Sequence, residues 1–339
     1  MSVLNIGIVG SGMIAGVIAK AIQEVETATL AAVASRRPES AGAFAKEHKI
    51  PTMFATWEEM VQSDLVDAIY VATPTAVKEE ISIAAAHGNK HILVDKPFAS
   101  LESLERMITA ARENSVAFMD ATHFAHHPRT LKIKSIMKET IGEPIAVRTC
   151  FFFPFLDREN IRFNVDKEPT GAVGDMAWYS MRAVAEYLAP TAEIRTISGG
   201  ITRDKKSGAV IKGSGLIIFK DDKSTTFDFG YNAGVCLMDL DILGSEGMFH
   251  IDDFVLDWKD GFAFDNPDHK VRYTKRTGMQ EPDDFELVEA AAAEPQTNSM
   301  IRNFVRYVLE PGSRQEEAST RVTRQTQSLL DRFWQEVGS

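Results

Sequence analysis

Val3-Leu4-Asn5-Ile6-Gly7-Ile8-Val9-Gly10-Ser11-Gly12-Met13-Ile14-Ala15 is the stretch whose reading decides the fold. Val3 to Val9 has the short apolar character of a buried strand, and Ile14, Val17, Ile18, Ala21 and Ile22 then recur at the three-to-four-residue spacing of a helix face. Between strand and helix lies G-x-G-x-x-A, the spacing of a dinucleotide fingerprint in the context it requires. Gly10 permits the tight turn, Gly12 lets the backbone approach a pyrophosphate, and Ala15 allows the helix to pack closely. The first-turn amides, those of Met13 and Ile14 among them, face the phosphates.

A second strand, Leu30 to Ala34, ends in Ser35-Arg36-Arg37-Pro38, where an NAD-preferring domain carries an acidic residue for the ribose 2′-hydroxyl. A serine hydroxyl and two guanidinium groups suit a 2′-phosphate instead, since arginine contacts phosphate through charge-assisted, bidentate bonds. The reading favours NADP, with NAD or dual use left open. Asp67 to Val71 forms a further strand ending in Ala72-Thr73-Pro74, followed by a helix through Val77, Ile81, Ala84 and Ala85 that closes at Gly88-Asn89. His91 to Val94 leads to Asp95-Lys96-Pro97, Ser100 caps a helix carrying Leu101, Leu104, Ile108 and Ala111, and Val116 to Met119 is another strand. Such alternation predicts an α/β, doubly wound parallel sheet, a Rossmann domain over residues 1–122. Ligands bind outside the carboxyl ends of such strands, so Thr73 and Lys96 are expected at the crevice.

Beyond residue 122 the alternation stops. Ile145 to Phe153, Ala192 to Ile201, Ala209 to Phe219, Ser224 to Tyr231 and Leu237 to Leu243 read as strands. Phe227, Phe229 and Tyr231 alternate with Asp228 and Gly230, and Met238, Leu240 and Ile242 with Asp239 and Asp241, the period of a sheet with one wet face. Asp221-Asp222-Lys223 is a hairpin turn candidate, residues 276–296 read as an acidic, alanine-rich excursion over the surface, and Met300 to Leu309 and Ser319 to Val337 as helices. Residues 123–339 are therefore expected to form an α+β domain with a large, mostly antiparallel open sheet for substrate and oligomer contacts, its last helices free to pack back on the first domain. An uncovered sheet face predicts a homodimer or larger assembly.

Gly171 to Arg182 opens a helix on which Trp178, Met181, Ala185 and Leu188 make one stripe, and Asp175, Tyr179, Arg182 and Glu186 another. Asp175 reads equally as a helix N-cap or a site carboxylate, and Tyr179 as a half-buried aromatic unless a partner is found. Asp120, His123, His126 and His127 cluster after Met119. Their types would suit zinc, but no recognised ligand motif is present and Pro128 interrupts the pattern, so the cluster is expected to line the crevice without metal, with a plain helix-start cluster as the alternative.

With 339 residues, 44% of them hydrophobic, the chain is long enough for about two domains. Its 37 basic against 48 acidic residues, net −11, offer no general attraction to nucleic acid or an anionic membrane. Cys150 and Cys236 stand far apart without zinc or CxxC spacing. No leader pattern precedes the fingerprint and no apolar run approaches a membrane span, so a cytoplasmic enzyme or binding protein is expected.

Taken together, the fingerprint, Ala72-Thr73-Pro74, Asp95-Lys96-Pro97 in place of Glu-Lys-Pro, Gly174-Asp175 leading to Tyr179, and Gly244-Ser245-Glu246-Gly247 as a turn between two strands resemble the Gfo/Idh/MocA oxidoreductases over nearly the whole chain. Tyrosine at 179 with Asn160-Ile161-Arg162-Phe163 is similar to the branch of dimeric dihydrodiol dehydrogenase, NADP-dependent xylose dehydrogenase and glucose-fructose oxidoreductase. Many relatives carry a histidine where this chain has Lys78 or its neighbours, so that site is not carried over.

The resemblance implies a cis Lys96–Pro97 bond and hydride transfer between nicotinamide C4 and a carbinol or carbonyl carbon of a sugar or other polyol. It implies Lys96 and Tyr179 as catalytic groups, with Asp175 beside them holding a substrate hydroxyl, and Asn160, Arg162 and His127 as further substrate contacts. An ammonium favours an ionised phenol, so Lys96 would tune Tyr179 as the base. The alternatives are a reductase of dihydrodiols or dicarbonyls, and a non-catalytic, sugar-responsive regulator.

Overall fold

The computed structural model describes residues 3–155, 157–258, 266–290 and 292–338. Contacts divide the chain into two compact units, one of Met1–His126 with Glu294–Arg324, the other of His127–Ala293 with Gln325–Ser339.

In the first unit six strands, β1 (Leu4–Val9), β2 (Ala28–Ala34), β3 (Thr52–Phe54), β4 (Ala68–Val71), β5 (His91–Val94) and β6 (Phe118–Asp120), form a sheet in the order β3-β2-β1-β4-β5-β6. Every pair is parallel. β4 is buried at each residue, and Ile6 and Ile8 of β1 are fully buried, as a sheet with helices on both faces demands. Helices α1 (Met13–Glu24), α2 (Pro38–Glu47), α3 (Trp57–Gln62), α4 (Lys78–His87) and α5 (Leu101–Glu113) supply the crossovers. Local chemistry sets their ends. Thr56 and Ser100 cap α3 and α5, accepting from Glu59 N and Ser103 N, and Asn89 takes the left-handed conformation just past α4.

The carboxyl ends of the strands share one edge. Gly10 N donates to Ala34 O at 2.8 Å, Ala72 N to Val9 O at 2.9 Å, Asp95 N to Val71 O at 3.0 Å and Ala121 N to Val94 O at 2.8 Å. Strand order reverses between β1 and β4, so the loops after Val9 and Val71 flank the switch point where ligands of open α/β sheets bind. Of the C-terminal segment, α8 (Gln296–Leu309) buries Met300, Ile301 and Phe304 in the core of this same unit.

The second unit opens with α6 (Pro128–Ile141), capped by His127 with Pro128 at the first position. Its sheet comprises β7 (Pro144–Phe152), β8 (Ile194–Arg203), β9 (Val210–Phe219), β10 (Ser224–Gly230), β11 (Leu237–Gly244), β12 (Gly247–Ile251), β13 (Arg272–Thr277) and β14 (Glu286–Glu289). The order is β14-β13-β12-β11-β7-β10-β9-β8, antiparallel except for the β7–β10 pair. The predicted alternation holds: Phe227 and Phe229 are buried while Asp228 is exposed, and Asp222 sits at positive φ in the hairpin before β10. α9 (Arg314–Val337) contributes Phe333, edge-on to Phe227 with centroids 4.8 Å apart.

Two expectations are corrected. The excursion over 276–296 is in part sheet: β13 ends inside it and β14 lies within it, mostly exposed and paired on one side only. A charged edge strand buries too little to show an apolar alternation. Ala291 of that stretch lies outside the described residues. The helix after Gly171 is not a regular two-striped one. π turns at Val173–Ala177 and Val184–Leu188 flank α7 (Trp178–Ala183), and residues 171–188 are all buried except half-buried Asp175. Two stripe members bond each other, Arg182 Nε donating to Glu186 at 2.8 Å, and beside them Ser180 Oγ accepts from Thr149 Oγ1 at 2.8 Å. Among the described residues no helix is long and apolar enough to cross a membrane.

Candidate active site

At the switch point the fingerprint has the conformation its glycines allow. Gly10 has φ +119°, and a Cβ there would lie 2.4 Å from Ala72 O, so only glycine lets the ends of β1 and β4 meet. Gly12, at φ −87°, precedes α1, and a Cβ on it would meet nothing within 4 Å. An open cradle therefore lies over a helix N-terminus whose first residues are exposed Met13 and half-buried Ile14, and the free amides and helix dipole there favour an anion.

Ser11 Oγ meets Ser35 Oγ at 3.0 Å, tying the glycine loop to the end of β2, and Arg36 and Arg37 follow on exposed positions. After β4, Thr73 Oγ1 is buried without a hydrogen-bond partner, and Pro74 turns the chain into a 3-10 turn at Thr75–Val77. An orphaned hydroxyl costs about 1–3 kcal/mol unless something satisfies it. The anion cradle, the paired arginines and this hydroxyl fit a nicotinamide dinucleotide.

Two strands from β1, half-buried Asp95 leads into Lys96 and Pro97, and the Lys96–Pro97 bond is cis. Lys96 is 9% exposed. Lys78, the first residue of α4 and itself buried, donates from Nζ to Lys96 O at 2.8 Å and Pro97 O at 3.0 Å. Sequence reasoning assigned Lys78 no role. The available signal was a cation at a helix N-terminus, where the dipole disfavours it.

In the second unit the loop after β7 and the start of the buried helix bring Asn160, Arg162 and Asp175 together. Arg162 Nε donates to Asp175 Oδ2 at 2.5 Å, and Asn160 Oδ1 accepts from Arg162 N at 3.2 Å and Nη1 at 3.3 Å. Tyr231 Oη donates to Asp175 Oδ2 at 3.2 Å, and the guanidinium lies 4.3 Å over the Phe155 ring. Burial, and then the Asp175 charge, push the Tyr231 phenol well above its ordinary value, so it stays a donor. Burial alone would lower Arg162, but Asp175 and Tyr231 outweigh it and hold the guanidinium more firmly protonated than usual. Asp175 is not the N-cap that the sequence left open; its N–H already donates to Gly171 O inside the helix. Tyr231 and Phe155 went unrecognised, because their alternating or isolated aromatic character reads as core.

Tyr179 lies on α7, 5% exposed, edge-on to Phe151 with centroids 5.2 Å apart. His127 does not fit a substrate role. Its Nδ1 accepts Arg129 N at 2.9 Å and its Nε2 lies 2.8 Å from Asp257, which uses both ring nitrogens of a side chain 1% exposed. The cluster read after Met119 is dispersed likewise. Within the first unit Asp120 accepts from Thr122 and Thr323, and His126 Nδ1 accepts from Asn303 of α8. Asp253, Asp257 and His269 approach one another closely enough for a metal, but Arg129 and His269 occupy Asp253 and His127 occupies Asp257. That group is a hydrogen-bonded network whose carboxylates are taken up by Arg129, His127 and His269.

Residues 4–122 match the model of the GFO_IDH_MocA family, an oxidoreductase family with an NAD-binding Rossmann fold. Over those residues the chain is similar to this family. The NADP-dependent scyllo-inositol 2-dehydrogenase of Bacillus subtilis is 35% identical over 132 residues, 39% of this chain and 40% of that enzyme. The chain thus spans less than half the length of that relative. A dTDP-3,4-didehydro-2,6-dideoxy-alpha-D-glucose 3-reductase of Actinomadura kijaniata is 26% identical over 230 residues, 67% of this chain and 68% of that one. Among solved structures, a 3-ketoreductase from Actinomadura kijaniata in complex with NADP and TDP-benzene superposes with a TM-score of 0.87 at 22% identity, covering 99% of this chain and 98% of that one. At that identity the likeness is one of fold alone.

Proposed function

We propose that the chain is an NADP-preferring dehydrogenase or reductase acting on CH–OH groups of a sugar or sugar-like substrate. The observation that carries this reading is the edge of the parallel sheet, where an anion cradle at Gly12, the unsatisfied Thr73 hydroxyl and buried Lys96 follow three strands of one register. Relatives named as NADP-dependent inositol and xylose dehydrogenases support it.

Gly12 and the first turn of α1 would hold the pyrophosphate, Ser35, Arg36 and Arg37 the 2′-phosphate, and Ala72 to Pro74 with Asp95 to Pro97 the nicotinamide half. When bound, the cofactor supplies or accepts the hydride at nicotinamide C4. Tyr179 takes the alcohol proton during oxidation and returns it to the carbonyl oxygen during reduction, so proton and hydride balance in either direction. Lys96 donates to that oxygen and stabilises the charge developing on it. Asp175, fixed by Arg162, accepts from another substrate hydroxyl, and Asn160 orients Arg162.

The test is nicotinamide absorbance during incubation with NADPH or NADP and a panel of keto sugars, aldoses, inositols, dihydrodiols and dicarbonyls. Lys96→Met and Tyr179→Phe should each lower kcat by about 10²–10⁴-fold. Near-normal turnover in both removes the assignment.

The same reading takes the chain as a cytoplasmic homodimer or higher homo-oligomer. Its support is the outer face of the large sheet, where Leu216, Ile218, Leu243 and Met248 are only half-buried, and the thiols of Cys150 and Cys236, free and pushed up to about 11 by burial. A monomer in sedimentation at micromolar concentration would remove the assembly.

A further inference from the structure

Lys78 is placed at considerable cost. Its residue is 2% exposed, an ammonium must be desolvated there, and it stands in the first turn of α4, where the helix dipole opposes a cation. Its backbone is pinned as well, since Ser82 Oγ donates to Lys78 O at 2.7 Å. The ammonium holds two successive carbonyls, Lys96 O at 2.8 Å and Pro97 O at 3.0 Å. Charge-assisted bonds of this kind are about twice as strong as neutral ones, and two of them from one short-reach donor fix both peptide planes. Those planes set the direction in which the Lys96 side chain leaves the end of β5.

We propose that Lys78 is a positioning residue: it acts through the Lys96 and Pro97 carbonyls to hold the Lys96 ammonium in its working geometry, and touches neither substrate nor cofactor. The inference rests on Lys96 being catalytic, as proposed above. A methionine at 78 keeps the stem and removes the donors, leaving two buried carbonyls to find other partners and letting the 96–97 segment drift. A displacement of about 1 Å at a catalytic group costs on the order of 10²-fold in rate. NADPH affinity should hardly change, because its charged groups are held at the loop after β1 and at the end of β2, built without Lys78, and only the uncharged end of the nicotinamide half lies along the 96–97 segment.

The experiment compares parent, Lys78→Met, Lys78→Gln and Lys96→Met, measuring kcat and KM per NADPH-binding site, NADPH affinity by fluorescence, and the pH profile of kcat. Expected for Lys78→Met is a kcat loss of about 10²-fold, with KM and NADPH affinity within about threefold of the parent, and a pH profile displaced because the lysine at 96 no longer faces the reacting oxygen correctly. Lys78→Gln, which keeps a neutral donor, should recover part of the loss, and it carries the test alone if Lys78→Met does not fold. A kcat within about threefold of the parent overturns the inference, as does a loss accounted for entirely by fewer NADPH-binding sites, which marks a purely structural lysine. If Lys96→Met itself turns over normally, the assignment of Lys96 fails instead, and the two failures are told apart.

Discussion

Substituting Gly10 and Gly12 one at a time separates the fold of the glycine loop from its ligand. At Gly10 an alanine must adopt φ +119°, outside the range open to L residues, which costs about 1–3 kcal/mol in strain. Its Cβ would also stand 2.4 Å from Ala72 O and 2.9 Å from Ala72 C, backbone atoms that move only if β1 and β4 part. At Gly12 the backbone is at φ −87°, which any residue adopts, and the Cβ would point into open space. The cost there is the weaker helix-capping preference of alanine, about 0.5–1 kcal/mol. With roughly 2–4 °C of melting temperature per kcal/mol, Gly12→Ala should melt within about 4 °C of the parent and Gly10→Ala clearly lower. Both should lose NADPH. For Gly12→Ala the new methyl occupies the space the pyrophosphate needs, and a loss of about 10–100-fold in affinity corresponds to about 1.4–2.8 kcal/mol. Differential scanning fluorimetry and NADPH fluorescence titration read the two effects separately. A Gly12→Ala protein that binds NADPH like the parent would refute the placement of the pyrophosphate at this loop.

Arg36→Ala/Arg37→Ala should weaken NADPH and leave NADH nearly unchanged, narrowing the ratio of the two affinities by about tenfold or more; an unaltered ratio in paired titrations dissociates these arginines from the 2′-phosphate. Arg129 and the Asp253 carboxylate form an ion pair buried in the second unit, so Arg129→Met, which leaves the carboxylate only His269, should cost about 3–5 kcal/mol in urea unfolding, and a cost below about 1 kcal/mol would show the pair to be replaceable. His250 Nδ1 lies 2.8 Å from Asp241, and that hydrogen bond raises the imidazole above its ordinary 6.5, against the opposing effect of burial and with help from the Asp241, Asp239 and Asp252 charges. The folded state therefore prefers protonated His250. Its stabilisation is complete below pH 6.5 and disappears as pH rises through the raised folded value. An NMR titration should show the His250 midpoint fall in Asp241→Asn, and a midpoint that stays put contradicts this origin.

The sequence by itself determined five of the six strands of the first sheet, all but β3, and its ligand end, because a strand, a glycine turn and a helix are local in the chain and their spacing leaves few alternatives. Gly10, Gly12, Thr73 and Lys96 could be named from it because each stands at the carboxyl end of a strand, and strand ends are legible from runs such as Ile92 to Val94. Periodicity likewise exposed β10 and β11, each wetted on one face, while β14 escaped it as an edge strand that buries almost nothing. The tertiary structure decided which polar groups face a ligand and which face each other. Asp175, Arg162 and Tyr231 lie far apart in sequence and become a single hydrogen-bonded set only once β10 is laid beside β7. The same is true of His127, whose ring is consumed by Asp257, 130 positions away, and of Lys78, whose charge is directed at carbonyls that belong to the next strand's end. A side chain's type states what bonds it can make, but its partner is chosen by packing, and packing joins residues that no local pattern relates.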